Sequence, residues 1–146
     1  MVKYVEAVKG QGSTLKECLP FLCPDVDYLE RMLGCSDAVV IMAKDGDAIV
    51  GVVGGWLEGT PSGHEAHLDW IAVKEEYREK GIGSALVERI CNWARERSKE
   101  KIWTEALRKT SIFEETVTFY NKLGFKEIGT FRDQKGEEYV TMLRQL

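Results

Sequence analysis

The sequence predicts an α/β (α+β) layered fold, in which a mixed central sheet carries helices on its faces. Short apolar runs rich in β-branched residues alternate along the chain with stretches whose apolar residues recur at helical spacing. No internal repeat and no linker rich in Pro or Ser interrupts the 146 residues, so we expect one continuous domain over residues 1–146. The expected order of elements is β-α-α-β-β-β-α-β-α-β-β.

The chain begins with a predicted strand and a predicted helix. Residues 2–8 alternate weakly between apolar and polar side chains, which favours a first strand. Thr14 and Glu17 form the Thr-x-x-Glu pattern of a capping box. This pattern predicts a helix over residues 14–22, which Pro24 ends.

A second helix and a hairpin follow. Apolar residues recur at helical spacing over residues 26–33, and Gly34 fits the end of that helix. Residues 38–43 and 48–57 are apolar runs typical of strands. Because Asp45-Gly46 lies between them, we expect the two strands to form a hairpin.

The second half of the chain contains two predicted helices and four predicted strands. Both helices have their apolar residues on one face. The strand after the first helix follows in βαβ fashion, and the last two strands pair across residues 133–136. The predicted elements are a strand over residues 67–73, a helix over 82–97, a strand over 101–107, a helix from 113 that ends at Gly124, and strands over 125–131 and 138–143.

Composition excludes several classes of protein. Hydrophobic residues make up 44% and charged residues 30%, which excludes disorder and collagen-like repeats. The net charge of −4 argues against a nucleic-acid partner bound through a broad basic face. The longest apolar stretch, residues 48–57, is too short for a bilayer, so no membrane partner is expected. The first residues do not resemble a signal peptide, so we expect a cytoplasmic protein. In that compartment its cysteines are expected to be reduced, and we expect them to be buried.

The most informative segment, residues 69–86, reads as strand, short loop, glycine pair and helix. Gly81 and Gly83 allow a ligand to approach the backbone, and N–H groups at a helix start favour a phosphate-bearing ligand. Arg78 and Lys80 add positive charge. We therefore expect a pyrophosphate site. A Walker A loop does not fit, and a dinucleotide fingerprint lacks its third glycine, which leaves a dinucleotide-binding domain as a remote alternative.

Two motifs follow one another in the second half of the chain. Arg78-x-x-Gly81-x-Gly83 resembles the Q/R-x-x-G-x-G/A motif of the GNAT superfamily, the acyl-CoA-dependent N-acyltransferases. Residues 119–125, Phe-Tyr-Asn-Lys-Leu-Gly-Phe, resemble its second signature, roughly F-Y-x-K-x-G-F. The two signatures stand in the expected order, with one helix and one strand between them. Phe113 and Thr116 depart from the family pattern, which often has Asn and Ala there.

The resemblance implies a mostly antiparallel central sheet and acetyl-CoA as co-substrate. In such proteins the backbone N–H groups of the glycine loop hold the CoA pyrophosphate. The strand before the loop receives the pantetheine and thioester, and a backbone N–H there can stabilise the oxyanion of a tetrahedral intermediate. The implied cofactor-binding residues are Ile71, Ala72, Val73, Arg78, Glu79, Lys80, Gly81, Ile82, Gly83 and Ser84.

The resemblance also suggests catalytic residues. Tyr120 occupies the position of the general acid that protonates the departing thiolate; the alternative is a core tyrosine. The acceptor amine must lose a proton before it attacks, because an alkylammonium titrates near ~10. Candidate bases are His67 and Asp69, which share a strand face by period two. His67 stands where several relatives carry a Glu or His base, and Glu105 matches the base of the peptide N-terminal branch. A partly exposed strand histidine and a base supplied by water remain alternatives.

The segment His64-Glu65-Ala66-His67 does not complete a zinc motif, because His-Glu-x-x-His needs a helix and position 68 is Leu. No metal is therefore expected. A set of acidic residues is expected to border the acceptor and to favour a cationic amine, with a solvated acidic face as the alternative. The set is Asp25, Asp27, Glu30, Glu58 and Glu65.

The expected function is transfer of an acetyl group from acetyl-CoA to a primary amine by direct attack. The acceptor is a small molecule or a peptide amine. A homodimer is a further expectation, since paired copies are common in the superfamily. The alternative is a non-catalytic acyl-CoA-binding module that acts as a sensor or partner subunit.

Overall fold

The computed structural model describes residues 1–58 and 63–146, which form a seven-stranded mixed sheet with helices on both faces. In chain order the elements are β1 (Val2–Glu6), α1 (Gly12–Cys18), α2 (Val26–Leu33), β2 (Ala38–Asp45), β3 (Ala48–Leu57), β4 (Glu65–Val73), a 3-10 turn (Glu75–Tyr77), α3 (Ile82–Glu96), β5 (Lys101–Leu107), α4 (Phe113–Lys122), β6 (Lys126–Arg132) and β7 (Glu138–Gln145). The strand order is β1-β2-β3-β4-β5-β7-β6, and among these described strands only β4 and β5 pair in parallel. The predicted fold class and element order are confirmed.

The sheet separates two hydrophobic cores. On one face α3 and α4 pack against the strands, with Leu86 and Ile90 of α3 fully buried. On the other face α1 and α2 contribute Leu15 and Leu29, which are also fully buried. Within the described residues, no helix is both long enough and apolar enough to cross a membrane.

A bulge in β4 changes which core its side chains enter. The pairing of β4 with β3 shifts between Gly54 and Gly55, because Trp70 pairs with Gly54 and Leu68 pairs with Gly55. Asp69 is therefore an extra residue in this strand. Leu68 packs in the α3–α4 core, whereas Trp70 packs in the α1–α2 core. The bulge presents Asp69 at the position where β4 and β5 separate.

Strands β4 and β5 diverge after a short parallel contact. Their pairing covers three residue pairs, and the last one joins His67 to Trp103. Beyond it, residues 68–73 of β4 and residues 104–107 of β5 border a gap that we term the cleft. Between the two helical layers, the edges of β4 and β5 that face the cleft therefore do not pair with each other, although each strand still pairs with its other neighbour.

The local prediction for α1 was wrong at both ends, because the helix ends at Cys18 and not at residue 22. The helix begins at Gly12, with Gln11 in the capping position, so Thr14 lies inside it and caps nothing. The carboxylate of Glu30 instead accepts the N–H groups of Gly10 at 2.8 Å and Gly12 at 2.7 Å. A cap supplied by a neighbouring helix leaves no trace in the local sequence pattern.

The cysteines are all free, as expected, but they are not all buried. Cys91 lies in the core of α3. Cys18 and Cys35 are half-buried, and Cys23 is exposed. The expectation of buried thiols therefore holds for Cys91 alone.

Candidate active site

The edge of β4 along the cleft presents backbone groups to a ligand. The N–H of Lys74 donates to the carbonyl of Val50 in β3 at 2.8 Å. Successive residues of a strand direct their backbone groups to opposite sides, so those of Ile71 and Val73 face the cleft. All three residues are in register with β3, but only Ala72 directs its backbone groups toward that strand. The structure thus places two of the three expected thioester-contacting residues with their backbone groups toward the cleft.

The glycine loop forms an open helix N-terminus beside the cleft. Gly81 precedes α3 in the left-handed conformation with φ of +80°. The N–H of Ala85 donates to the carbonyl of Gly81 at 3.0 Å, so the N–H groups of residues 82–84 precede the first intrahelical bond. Among the described residues, no side chain caps this end of α3. Free N–H groups at the positive end of a helix dipole suit an anion such as a pyrophosphate.

Side chains of the same segment fix the loop to the sheet. The Nε of Arg78 donates to the carbonyl of Val73 at 3.1 Å, which connects the loop to the cleft edge of β4. The hydroxyl of Tyr77 donates to Asp45 at the end of β2, at 2.9 Å. The ammonium of Lys80 lies 5.3 Å from the centre of the Tyr77 ring. Both expected cationic side chains therefore remain beside the loop.

The loop also contacts α4 closely. A Cβ atom on Gly83 would lie 3.3 Å from two ring carbons of Phe119. Glu79 adopts a left-handed φ of 62°, which is uncommon for a residue other than glycine. The absence of a side chain at Gly83 lets the first turn of α3 approach the second family signature.

Tyr120 is a core residue that lies near Thr104, which borders the cleft. It lies on α4, is 4% exposed, and packs edge-on against Phe119 and Phe125. Burial raises the pKa of Tyr120 well above 10, although a hydrogen bond with Thr104 opposes the shift. The hydroxyl therefore stays protonated at neutral pH. The two interpretations of Tyr120, core residue and acid, are compatible.

His67 and Glu105 form a hydrogen-bonded pair on the opposite face of the sheet. The Nε2 of His67 lies 2.7 Å from Oε2 of Glu105, and its Nδ1 lies 3.8 Å from Oε1 of Glu58. The ring stacks on Trp103, with centroids 3.9 Å apart and an angle of 10° between the planes. The side chains of His67 and Glu105 are 14% and 19% exposed.

The surroundings of His67 favour its charged form. Burial of the ring by itself lowers the pKa of His67, but the hydrogen bond and charge of Glu105 act in the opposite direction. The charges of Asp69 and Glu58 add to that effect, and the pKa lies above 6.5. His67 becomes a proton acceptor only above this raised pKa.

Asp69 lies between His67 and α2. Its Oδ2 accepts a hydrogen bond from the hydroxyl of Tyr28 in α2 and another from Nε1 of Trp56 in β3, the latter at 3.1 Å. Burial, with the hydrogen bond and charge of Asp69, raises the pKa of Tyr28 to about 12. Asp69 is therefore already engaged by two donors.

Donor atoms of three side chains gather at this point. His67, Asp69 and Glu105 each offer one such atom within 4.8 Å of the others. Each of the three already has a hydrogen-bond partner in this structure. The donor set could surround a cation, but the residues are satisfied as they stand. The absence of a metal remains a prediction.

Two of the five acidic residues expected at the acceptor cap helices instead. Asp25 accepts the N–H of Tyr28 at 2.8 Å and caps α2, while Glu30 caps α1. Of the acidic residues expected there, Glu58 contacts His67. The sequence analysis did not identify four residues of the site. Two of them, Trp56 and Trp103, pair with His67 from the neighbouring strands on either side. Only the strand register could have indicated these two. The missed residues are Tyr28, Trp56, Trp103 and Thr104.

Comparisons with known proteins show the family to which the chain is similar. The sequence profile described as the acetyltransferase (GNAT) family matches residues 12–125. N-acetyltransferase 8B of Rattus norvegicus is 31% identical over 93 residues, which are 62% of this chain and 40% of that protein. The chain thus spans about two fifths of the length of such curated relatives.

Solved structures share the fold over nearly the whole chain. The ribosomal-protein-S18-alanine N-acetyltransferase of Escherichia coli has a TM-score of 0.81 at 16% identity, covering 99% of this chain and 94% of that one. A Bacillus subtilis acetyltransferase in complex with CoA has a TM-score of 0.79 at 20% identity, covering 100% and 99%. At these identities the likeness concerns the fold.

Proposed function

The chain belongs to the acetyltransferase (GNAT) family, and on that premise we propose that residues 1–146 form one N-acetyltransferase domain that moves an acetyl group from acetyl-CoA to a primary amine. One observation carries this proposal. Thr104 and Glu105 are neighbours in β5: Thr104 lies close enough to Tyr120 to oppose the rise in its pKa, and Glu105 forms a hydrogen bond with His67. Because successive strand residues face opposite sides, the acid and the base flank the same cleft from its two faces.

The donor site is proposed along α3 and the cleft edge of β4. The N–H groups of residues 82–84 suit the pyrophosphate, with Arg78 and Lys80 adding positive charge. The backbone groups of Ile71 and Val73 suit the pantetheine and thioester. Acetyl-CoA supplies an acyl group activated as a thioester. An N–H on this edge can stabilise the developing oxyanion.

The acceptor amine is proposed to enter on the face of His67. An alkyl amine arrives as an ammonium at neutral pH. The carboxylates of Glu58, Asp69 and Glu105 form no ion pair with Lys or Arg in the described part of the chain, so their charge is available to attract it. His67, hydrogen-bonded to Glu105, then accepts the proton before attack through a tetrahedral intermediate. Tyr120, from the other face, donates a proton to the departing thiolate.

Binding of the donor is tested first. A thermal-shift comparison uses acetyl-CoA, CoA, NADH and ATP at equal concentration. A ligand at 100 times its dissociation constant adds about 2.7 kcal/mol to the free energy of unfolding, so a bound ligand raises the midpoint by several degrees. We expect the two CoA compounds alone to do so. A larger shift with NADH or ATP would overturn the donor assignment.

Transfer is tested next by thiol release from acetyl-CoA with a panel of diamines, amino acids, aminoglycosides and peptides. Release that depends on both acetyl-CoA and an amine supports the enzyme. CoA binding without release for any amine supports the alternative, a non-catalytic acyl-CoA-binding module.

A further inference from the structure

Three elements converge on one carboxylate oxygen beside the cleft. Oδ2 of Asp69, in the β4 bulge, accepts from the hydroxyl of Tyr28 in α2 and from Nε1 of Trp56 in β3. The same Nε1 lies 3.1 Å from the hydroxyl oxygen of Tyr28. The two rings pack edge-on, with centroids 6.2 Å apart and an angle of 72° between the planes. This arrangement fixes the direction in which the carboxylate points.

The direction matters because His67 has more than one carboxylate within reach. A donor atom of Asp69 lies within 4.8 Å of those of His67 and Glu105. Nevertheless, Glu105 forms the hydrogen bond to Nε2 of His67, at 2.7 Å. Asp69 directs an oxygen toward the donors of α2 and β3 instead.

We propose that Tyr28 and Trp56 are positioning residues for the proton acceptor: by holding the Asp69 carboxylate toward α2, they leave Glu105 as the hydrogen-bond partner of His67. The inference rests on the proposed function, in which His67 takes the proton of the amine. It assigns to α2, through Tyr28, a role in that same site on the acceptor side of the sheet.

The groups that face His67 determine what loss of this arrangement does. They are Glu105 from β5, Asp69 from β4 and Glu58 after β3, while Tyr28 acts from α2 through Asp69. Without the Tyr28 hydroxyl, the Asp69 carboxylate loses a donor and can turn toward the imidazolium. A second carboxylate nearer the ring favours its charged form, so the pKa of His67 rises further.

An NMR titration of the His67 imidazole tests this directly on the full chain. The chain has two histidines, so the background variant His64→Gln leaves His67 as the single imidazole. In that background we expect Tyr28→Phe to raise the pKa of His67 by about 0.3 pH unit or more. Trp56→Phe is expected to shift it in the same direction. Tyr4→Phe on β1, where the ring lies under Arg89, is the matched control and should cause no shift.

The decisive comparison repeats Tyr28→Phe in an Asp69→Asn background. If Tyr28 acts through Asp69, the shift disappears there, as a double-mutant cycle requires. A shift of equal size in both backgrounds would overturn the proposal, because it would show a general effect on packing. The proposal also fails if folded Tyr28→Phe and Trp56→Phe proteins both titrate like the parent.

The titration uses neither acetyl-CoA nor an amine. The effect of Tyr28 on the pKa of His67 can therefore be measured even if the protein transfers no acetyl group. Failure of the inference and failure of the proposed function are thus separate results.

Discussion

The hydroxyl of Thr104 donates a hydrogen bond to the carbonyl of Leu68 at 2.9 Å, immediately beyond the last backbone pair between β4 and β5. Thr104 is 2% exposed, so this bond lies within the core. It links β5 to β4 at the point where their backbone pairing has ended. Thr104 also lies close enough to Tyr120 to oppose the rise in its pKa, so one side chain connects the cleft to the proposed acid.

Thr104→Val should reduce the free energy of unfolding by about 1–3 kcal/mol, since it leaves the buried Leu68 carbonyl without its donor. Urea denaturation measures the loss. Thr141→Val, the same change at a half-buried position on neighbouring β7, is the control and should cost less. An equal decrease in the free energy of unfolding for the two variants would show that the hydrogen bond from Thr104 to Leu68 does not contribute more than an ordinary half-buried threonine.

Tyr120→Phe should lower kcat by about 100-fold while leaving the Kd for acetyl-CoA nearly unchanged, because a general acid contributes in the transition state. Burial raises the pKa of this hydroxyl, so the acid is fully protonated at neutral pH. Steady-state kinetics and calorimetry separate the two quantities. An unchanged kcat would leave Tyr120 as a core tyrosine only.

Gly83→Ala should weaken acetyl-CoA binding by about tenfold, which is about 1.4 kcal/mol. The added Cβ would lie 3.3 Å from two ring carbons of Phe119, so the ring or the first turn of α3 must shift by a few tenths of an ångström, and we expect the turn to move. Gly129→Ala is the matched control, because a Cβ there meets no atom within 4 Å. Calorimetric titration compares the variants. Equal affinities would show that the N–H groups of this turn do not contact the cofactor.

The proposed donor site could be predicted from the sequence because its chemistry is local. Arg78, Gly81 and Gly83 lie within one loop, and the helix start that they form depends on glycine conformation and on backbone N–H groups. An apolar run and the expected βαβ order likewise assigned β3 and β5 the bounds that the structure has. Local pattern was sufficient wherever neighbours in sequence determine the structure.

The proposed acceptor side depends on register and could not be predicted in the same way. Trp56, His67 and Trp103 lie far apart in sequence and become neighbours through pairing across β3, β4 and β5. The bulge at Asp69 interrupts the period of two that linked it to His67. Tyr28 reaches Asp69 from another layer of the fold. A single sequence does not specify these long-range contacts.

The last prediction concerns pH. Burial alone would lower the pKa of His67, but Glu105, with Asp69 and Glu58, raises it above 6.5. The unprotonated, basic form of His67 therefore appears only as pH rises through this raised pKa. We expect kcat/KM for the amine to decrease as pH falls through it, which gives the pH profile an acidic limb whose midpoint lies above pH 6.5. Glu105→Gln removes the carboxylate that raises the pKa of His67 most, while burial continues to lower it. The pKa of His67 should therefore fall, and the acidic limb should move to lower pH.

The shift of the limb is measured with one amine throughout, because the amine's own titration then cancels between variants. Glu100→Gln is the matched control: it removes the carboxylate that lies 3.7 Å from the other histidine, His64, and should leave the limb in place. If Glu105→Gln loses activity without moving the limb, Glu105 contributes but His67 is not the group that titrates. If the limb persists in His67→Gln, the proton leaves the amine by another route, such as a chain of water molecules.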